Sequence, residues 1–159
     1  MKNQKVLFLT QSAMIAAIYV VLTVVFQPFS FGEIQVRIAE ALTILPAFTP
    51  AAIVGLFIGC LIGNVLAGAV LWDVIFGSLA TLIGAGLGRV LRKYKYIALI
   101  PTIIANAVIV PFVLIYAYGL TDAWWYLFVT VGIGEILSCG VLGGVLVKVL
   151  EKRKKYIFK

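Results

Sequence analysis

The chain reads as apolar runs separated by short polar breaks, at about residues 6–26, 38–46, 51–71, 74–91, 97–118 and 125–150. A membrane-crossing helix needs roughly 20 predominantly apolar residues, with about 17 at the short end. Five of the runs reach that length unaided. The second does not, but extending it back through residues 33–37 predicts a helix with a polar outer end. The expected fold is an all-α integral membrane protein, a compact bundle of six transmembrane helices forming one domain over residues 1–159. Six spans use roughly 120 positions, which leaves short connections and no room for a soluble domain.

Composition supports the same class. Hydrophobic residues make up 64% and charged residues only 12%, with no histidine and a mean hydropathy of +1.15, against roughly 25% charged in an ordinary soluble domain. The basic residues decide whether the short second segment crosses. They cluster at Lys2 and Lys5, at Arg89, Arg92, Lys93 and Lys95, and from Lys148 to Lys159. Lysine and arginine accumulate in cytoplasmic loops, and six spans put all three clusters on that side, with both termini cytoplasmic. Five spans would separate the first cluster from the others. The net charge of +7 is therefore a topology signal and gives no reason to propose a nucleic-acid partner. The N-terminal apolar run continues past Ala16 and Ala17 with no polar cleavage region, so it reads as a retained helix and not a signal peptide.

Small residues at a spacing of four let helix backbones approach closely in lipid, where hydrophobic attraction between helices is missing. Ala51, Gly55, Gly59, Gly63 and Ala67 form such a stripe, as do Ala80, Gly84 and Gly88, then Gly140 and Gly144, and Ala13 and Ala17. Gly84, Gly86 and Gly88 read as packing notches, since they are too regular and too deep in a span for a phosphate loop. Cys60 and Cys139 lie inside spans without metal-ligand or CxxC spacing and read as small packing residues. Trp72, Trp124 and Trp125 fall at predicted outer ends, where tryptophan favours the interface; Trp72 is also a candidate surface for stacking a flat ligand. Pro101 and Pro111 beside Asn106 predict a bent fifth span.

The chemistry concentrates in FGEIQVRIAEALTILP, residues 31–46. One charge near the middle of a membrane helix costs about 2.5–3.5 kcal/mol to insert, so Glu33, Arg37 and Glu40 need partners, water or a substrate. On one helix they would share a face and form an ion-pair ladder. Glu135 lies some ten residues into the last span, roughly 15 Å from its outer end, and needs a partner or a ligand of its own. Gln35, Arg37, Glu40, Asn64, Asp73, Asn106 and Glu135 together suggest polar groups converging on an apolar pocket. Catalysis finds no support: there is no histidine, no HExxH, no nucleophile motif and no GxxxxGK[ST] for ATP.

The run Gly32-Glu33-Ile34-Gln35-Val36-Arg37-Ile38-Ala39-Glu40-Ala41-Leu42-Thr43 with Leu45-Pro46, followed by Gly55-Leu56-Phe57-Ile58-Gly59-Cys60 and Gly63-Asn64, resembles the QueT family of queuosine-precursor transporters. That family is similar to the substrate-binding S components of energy-coupling factor (ECF) vitamin transporters. The resemblance implies a bacterial plasma-membrane protein that binds a 7-deazaguanine such as preQ1 or queuine from outside. It also implies docking onto a transmembrane coupling protein with two cytoplasmic ATPases, which use the ATP; this chain itself would bind no cofactor or metal. Ala13 and Ala17 match the family's alanine-x-x-x-alanine docking stripe, with Ser12 and Ala16 an adjacent candidate. Glu40 and Glu135 are then the expected principal acceptors, with Asn106, Asn64 and Gln35 as secondary contacts, Asp73 nearby, Trp72 as a stacking surface and Arg37 orienting a glutamate. An S component for another vitamin and a non-transporting membrane adaptor are the competing readings.

Overall fold

The computed structural model describes residues 2–30 and 35–157, and its regular structure is entirely helical there. Helix α1 covers Lys2–Val25 and a single turn, α2, covers Gln27–Ser30. A 3₁₀ helix runs over Ile38–Ala47, followed by α3 (Ala51–Leu66), α4 (Leu71–Val90) and α5 (Ile100–Tyr116). The last pass is continuous: α6 (Trp124–Glu135), a π segment (Ile136–Leu142) and α7 (Gly143–Ile157). Four helical stretches are long and apolar enough to cross a membrane, Asn3–Val25, Leu71–Val90, Ile97–Tyr116 and Trp124–Arg153.

Two segments differ from expectation. The apolar run 51–71 does not form one long span, because α3 stops at Leu66 in a Schellman-type cap. Gly68, at φ +76°, donates to the Val65 carbonyl at 3.1 Å, and Ala69 donates to that of Asn64 at 3.0 Å. Glycine alone adopts that φ without cost. The second segment is not an α-helix reaching back through Arg37, since Gln35–Arg37 are non-helical. Its ten-residue 3₁₀ form rises about 2.0 Å per residue, and so reaches about 20 Å where an α-helix would reach about 15.

Helix register shows that this short segment carries the chain from one end of the bundle to the other. A Cβ placed on Gly55, Gly59 or Gly63 would meet Ser12 and Ile15, Ala16 and Tyr19, or Thr23 respectively, each at 2.7–3.3 Å. Positions rise together along both helices, so α1 and α3 are parallel, and the intervening residues must return the chain to its starting end. The same logic makes α4 and α5 antiparallel, with Gly84 against Thr102 and Gly88 against Ala98. It makes the 3₁₀ helix parallel to the last pass, where Gly134 meets Gln35 and Gly143 meets Ala41.

One end of the bundle is tied by Thr49 to Gln11 at 2.8 Å, Arg89 to the Pro46 carbonyl at 3.0 Å and Lys95 to Glu151 at 2.7 Å. The other end is tied by Gln27 to the Ala67 carbonyl at 2.8 Å and by Tyr118 to Asp73 at 3.1 Å. Both termini therefore emerge at the first of these ends. The glycine stripes differ in part from those expected. Gly84 and Gly88 are notches, but a Cβ on Gly86 would meet open space, and the tight approaches on the last pass fall at Gly134 and Gly143 instead of Gly140 and Gly144.

Candidate functional site

The 3₁₀ helix lies at the centre of the bundle, in contact with α1, α3, α4 and the last pass, and its Glu40 is completely buried. Two neighbouring helices supply the donors to that carboxylate. The Tyr19 hydroxyl of α1 donates to Glu40 Oε1, and Thr81 of α4 donates to the same oxygen at 3.1 Å. Thr43, one 3₁₀ turn along, donates to the Glu40 carbonyl at 2.6 Å. Glu40 Oε2 has no hydrogen-bond partner among the described residues. One side of the carboxylate is thus held by two hydroxyls while the other is open.

Glu135 ends α6, eleven residues after Trp124 and so about 16 Å along the helix. Cys139 Sγ donates to Glu135 Oε2 at 3.3 Å and lies 3.4 Å from both the Glu40 carbonyl and Thr43 Oγ1. One donor atom from each of Glu40, Glu135 and Cys139 falls within 4.8 Å of the others. Asn106 of α5 is completely buried and stands beside Glu135, with neither amide atom hydrogen-bonded to a described residue. Gln35, 2% exposed, likewise has an open Oε1. Its backbone lies so close to α6 that a Cβ on Gly134 would sit 2.2 Å from the Gln35 carbonyl oxygen. The π segment begins directly after Glu135, and such widened turns frequently mark functional positions.

A second network lies toward the opposite end from the termini. Arg37 Nη2 pairs with Asp73 Oδ1 at 3.3 Å, and both residues are buried. Tyr118 donates to Asp73 Oδ2 at 3.1 Å. Burial, and then the Asp73 carboxylate, push the Tyr118 hydroxyl above its ordinary range, so it stays a protonated donor at physiological pH. Asn64 reaches the Asp73 carbonyl at 3.5 Å and Cys60 Sγ at 3.6 Å, and Thr81 Oγ1 is 3.6 Å from that same sulfur. The chain Arg37–Asp73–Asn64–Cys60–Thr81–Glu40 thus links the outer network to the inner carboxylates. Tyr118 also borders a cleft of about 480 Å³ with Gln27, Pro28, Ala67, Gly68 and Ala69.

Measured against the sequence expectations, Glu40, Glu135 and Asn106 meet in the inner cluster, Arg37, Asp73 and Asn64 meet in the outer one, and Gln35 is buried with its backbone against α6 beside Glu135. Glu33 lies outside the described residues, so the ladder on it finds no description. Arg37 precedes the 3₁₀ helix and takes Asp73 of α4 as an ion-pair partner, since the non-helical backbone at 35–37 gives no helical i, i+3 face to share with Glu40. Trp72 does not join either cluster. It is 57% exposed, stacks on Phe76 at 5.8 Å and borders an apolar groove with Val108, Phe112 and Tyr116, so its place is that of an interfacial aromatic. Cys60 and Cys139 are buried core residues as expected, and their sulfurs also lie 3.3–3.6 Å from polar atoms of the two clusters. On α1, Ser12 and Ala16 are spent against α3, whereas Ala13 and Ala17 are exposed.

Sequence reasoning missed Tyr19, Thr43, Thr81 and Tyr118, whose residue types are ordinary in spans or at their ends. Gly77 was missed too: a Cβ there would meet Asp73 Oδ1, Asn64 Nδ2 and Arg37 Nη1 at 3.1–3.5 Å. Its position four residues after Asp73 is the one sequence signal that could have found it.

The candidate site is thus a buried, acid-rich polar centre within a small helical bundle. The QueT transporter family matches residues 9–152. The chain belongs to that family. It is thereby a member of a transporter family and not an enzyme. The queuosine precursor transporter QueT of Lactococcus lactis subsp. cremoris (strain MG1363) is 38% identical over 94 residues. That alignment covers 57% of this chain and 54% of the relative, so the match spans about half of either QueT-family protein. No solved structure matches the chain.

Proposed function

We propose that this protein is the substrate-binding S component of an ECF-type importer for a queuosine precursor, a 7-deazaguanine such as preQ1 or queuine. The observation that carries the reading is the inner cluster, where the Glu40 and Glu135 carboxyl groups approach each other and Glu40 Oε2 has no hydrogen-bond partner among the described residues, at the centre of a QueT-family bundle. A deazaguanine offers N–H donors along one ring edge, and its aminomethyl form adds a cation. Buried acceptors left unpaired cost about 1–3 kcal/mol each, more when charged, and a donor-rich ligand removes that cost.

The ligand reaches the cluster from the extracellular end, past Tyr118 and the Arg37–Asp73 pair. The termini and the basic clusters face the cytoplasm, following the distribution of lysine and arginine. The chain binds no cofactor itself. A transmembrane coupling protein and two cytoplasmic ATPases supply ATP-driven delivery, and the exposed Ala13 and Ala17 of α1 form the coupling contact.

Calorimetric titration of the detergent-solubilised protein with preQ1 and queuine, with thiamine and riboflavin as controls, tests the substrate. Saturable binding of a deazaguanine alone is expected. Binding of only a control vitamin moves the substrate class, and no binding to folded protein favours a membrane adaptor. Glu135→Gln is expected to weaken deazaguanine binding more than tenfold, about 1.4 kcal/mol, in a protein that still elutes as a single folded species. Unchanged affinity would remove Glu135 from the site. Ala13→Leu combined with Ala17→Leu is expected to leave that titration unchanged while uptake by cells carrying the coupling module falls. Normal uptake would exclude this stripe as the docking surface.

A further inference from the structure

The buried charge of the bundle is unbalanced in a specific place. Glu40, Asp73, Glu135 and Arg37 are the buried charged residues among those described, three acids to one base. The arginine forms its ion pair with Asp73, at the outer network. Glu40 and Glu135 lie deeper, with one carboxylate oxygen of each within 4.8 Å of the other. Glu40 Oε2 has no hydrogen-bond partner among the described residues, and the buried Asn106 amide faces Glu135. The site asks for positive charge and several N–H donors at one point between the two carboxyl groups.

The separation narrows what can sit there. A primary ammonium nitrogen about 2.8 Å from two oxygens, with its N–H bonds in tetrahedral directions, sets those oxygens about 4.6 Å apart. Two carboxylates gripping opposite ends of a purine-like ring would have to stand apart by more than the width of the ring. We infer that Glu40 and Glu135 together form a cradle for a single primary ammonium group, so that the site selects a ligand carrying an aminomethyl cation over the same ring bearing a neutral substituent. The ammonium donates one hydrogen to each glutamate and has a third for an amide oxygen. The ring edge is then read by the buried amides of Asn106 and Gln35. Tyr19 and Thr81 hold Glu40 Oε1, and Cys139 holds Glu135 Oε2, so each carboxylate is turned before the cation arrives.

This inference rests on the deazaguanine reading above and concerns which end of the ligand the acids take. Its test is a titration of the solubilised protein with 7-aminomethyl-7-deazaguanine and 7-cyano-7-deazaguanine, which share the ring and differ in charge. The aminomethyl base is expected to bind at least 100-fold tighter. Glu40→Gln and Glu135→Gln are each expected to weaken it at least tenfold while leaving the cyano base within threefold, so the preference collapses. Thermal unfolding of each variant reports that the fold is kept, and the retained cyano affinity reports that the ring site is kept. Equal affinity for the two bases, or an equal loss of both in Glu40→Gln, overturns the cradle and leaves the deazaguanine assignment standing. Binding of neither base to folded protein removes the substrate reading and the cradle together. Saturable zinc binding that either substitution abolishes, with no preference between the bases, would overturn the cradle in favour of a metal site.

Discussion

Asp73→Asn is expected to destabilise the protein by about 3–5 kcal/mol, the cost of removing one partner of a buried ion pair. Arg37 and Asp73 are both almost fully buried and lie 3.3 Å apart, and Asp73 is also the acceptor for Tyr118. The substitution keeps the shape but replaces one of the two acceptor oxygens, which receive Arg37 and Tyr118, with an amide donor, and it removes a charge that faces the arginine. It should therefore loosen the attachment of the 35–37 segment to the start of α4 and of the Tyr118 turn to both. Reversible unfolding in mixed detergent gives the stability. Arg37→Met together with Asp73→Leu, which buries neither charge, is expected to recover most of the loss. A single variant within about 1 kcal/mol of the parent would show that the pair carries little of the fold.

Gly134→Ala is expected to cost about 3 kcal/mol, the upper end for overpacking a close-packed interior, and to abolish ligand binding. The added Cβ would lie 2.2 Å from the Gln35 carbonyl oxygen and 2.7 Å from its carbon. These are backbone atoms, with no side-chain rotamer available to move them aside, so the 35–37 segment must shift off α6 and carry Gln35 and Arg37 with it. Gly132→Ala on the same helix is the comparison, because its Cβ would meet only Ala107 Cβ, at an ordinary 3.8 Å. That variant is expected to lie within about 0.5 kcal/mol of the parent, as for most substitutions that disturb no special feature. If the two alanine variants unfold alike and bind alike, the close approach at Gly134 does not organise the site.

The parts of the site that were legible in the sequence are those whose residue type is improbable in a membrane. Glu40, Glu135, Asn106 and Asp73 are costly wherever they stand in a span, so each announces a partner or a ligand without any knowledge of its neighbours. Tyr19, Thr81 and Cys139 carry no such penalty and are as common in inert helices as in sites. Their role comes from the register of α1, α4 and the last pass against the 3₁₀ helix, which places all three on one pair of glutamates. The partner of Arg37 was read as a neighbour in sequence because a helix was assumed there. The non-helical 35–37 segment turns it toward Asp73, a pairing between passes that periodicity does not show. Trp72 shows the converse, since an aromatic at a span end fits both an interface and a ligand, and only the face it occupies on α4 separates them.

Hydropathy, basic clusters and small-residue spacing were enough for an all-helical membrane bundle with a polar second segment, because each is a transfer preference that a residue expresses against lipid or water on its own. The crossing of that segment as a 3₁₀ helix, the break after Leu66, and the pairing of Arg37 with Asp73 and of Glu40 with Glu135 required the assembled bundle. These depend on which atoms of different passes come within a few ångströms of each other. In lipid that is set by close backbone approach at particular glycines, above all Gly55, Gly59 and Gly134, and not by the apolar character that all the passes share.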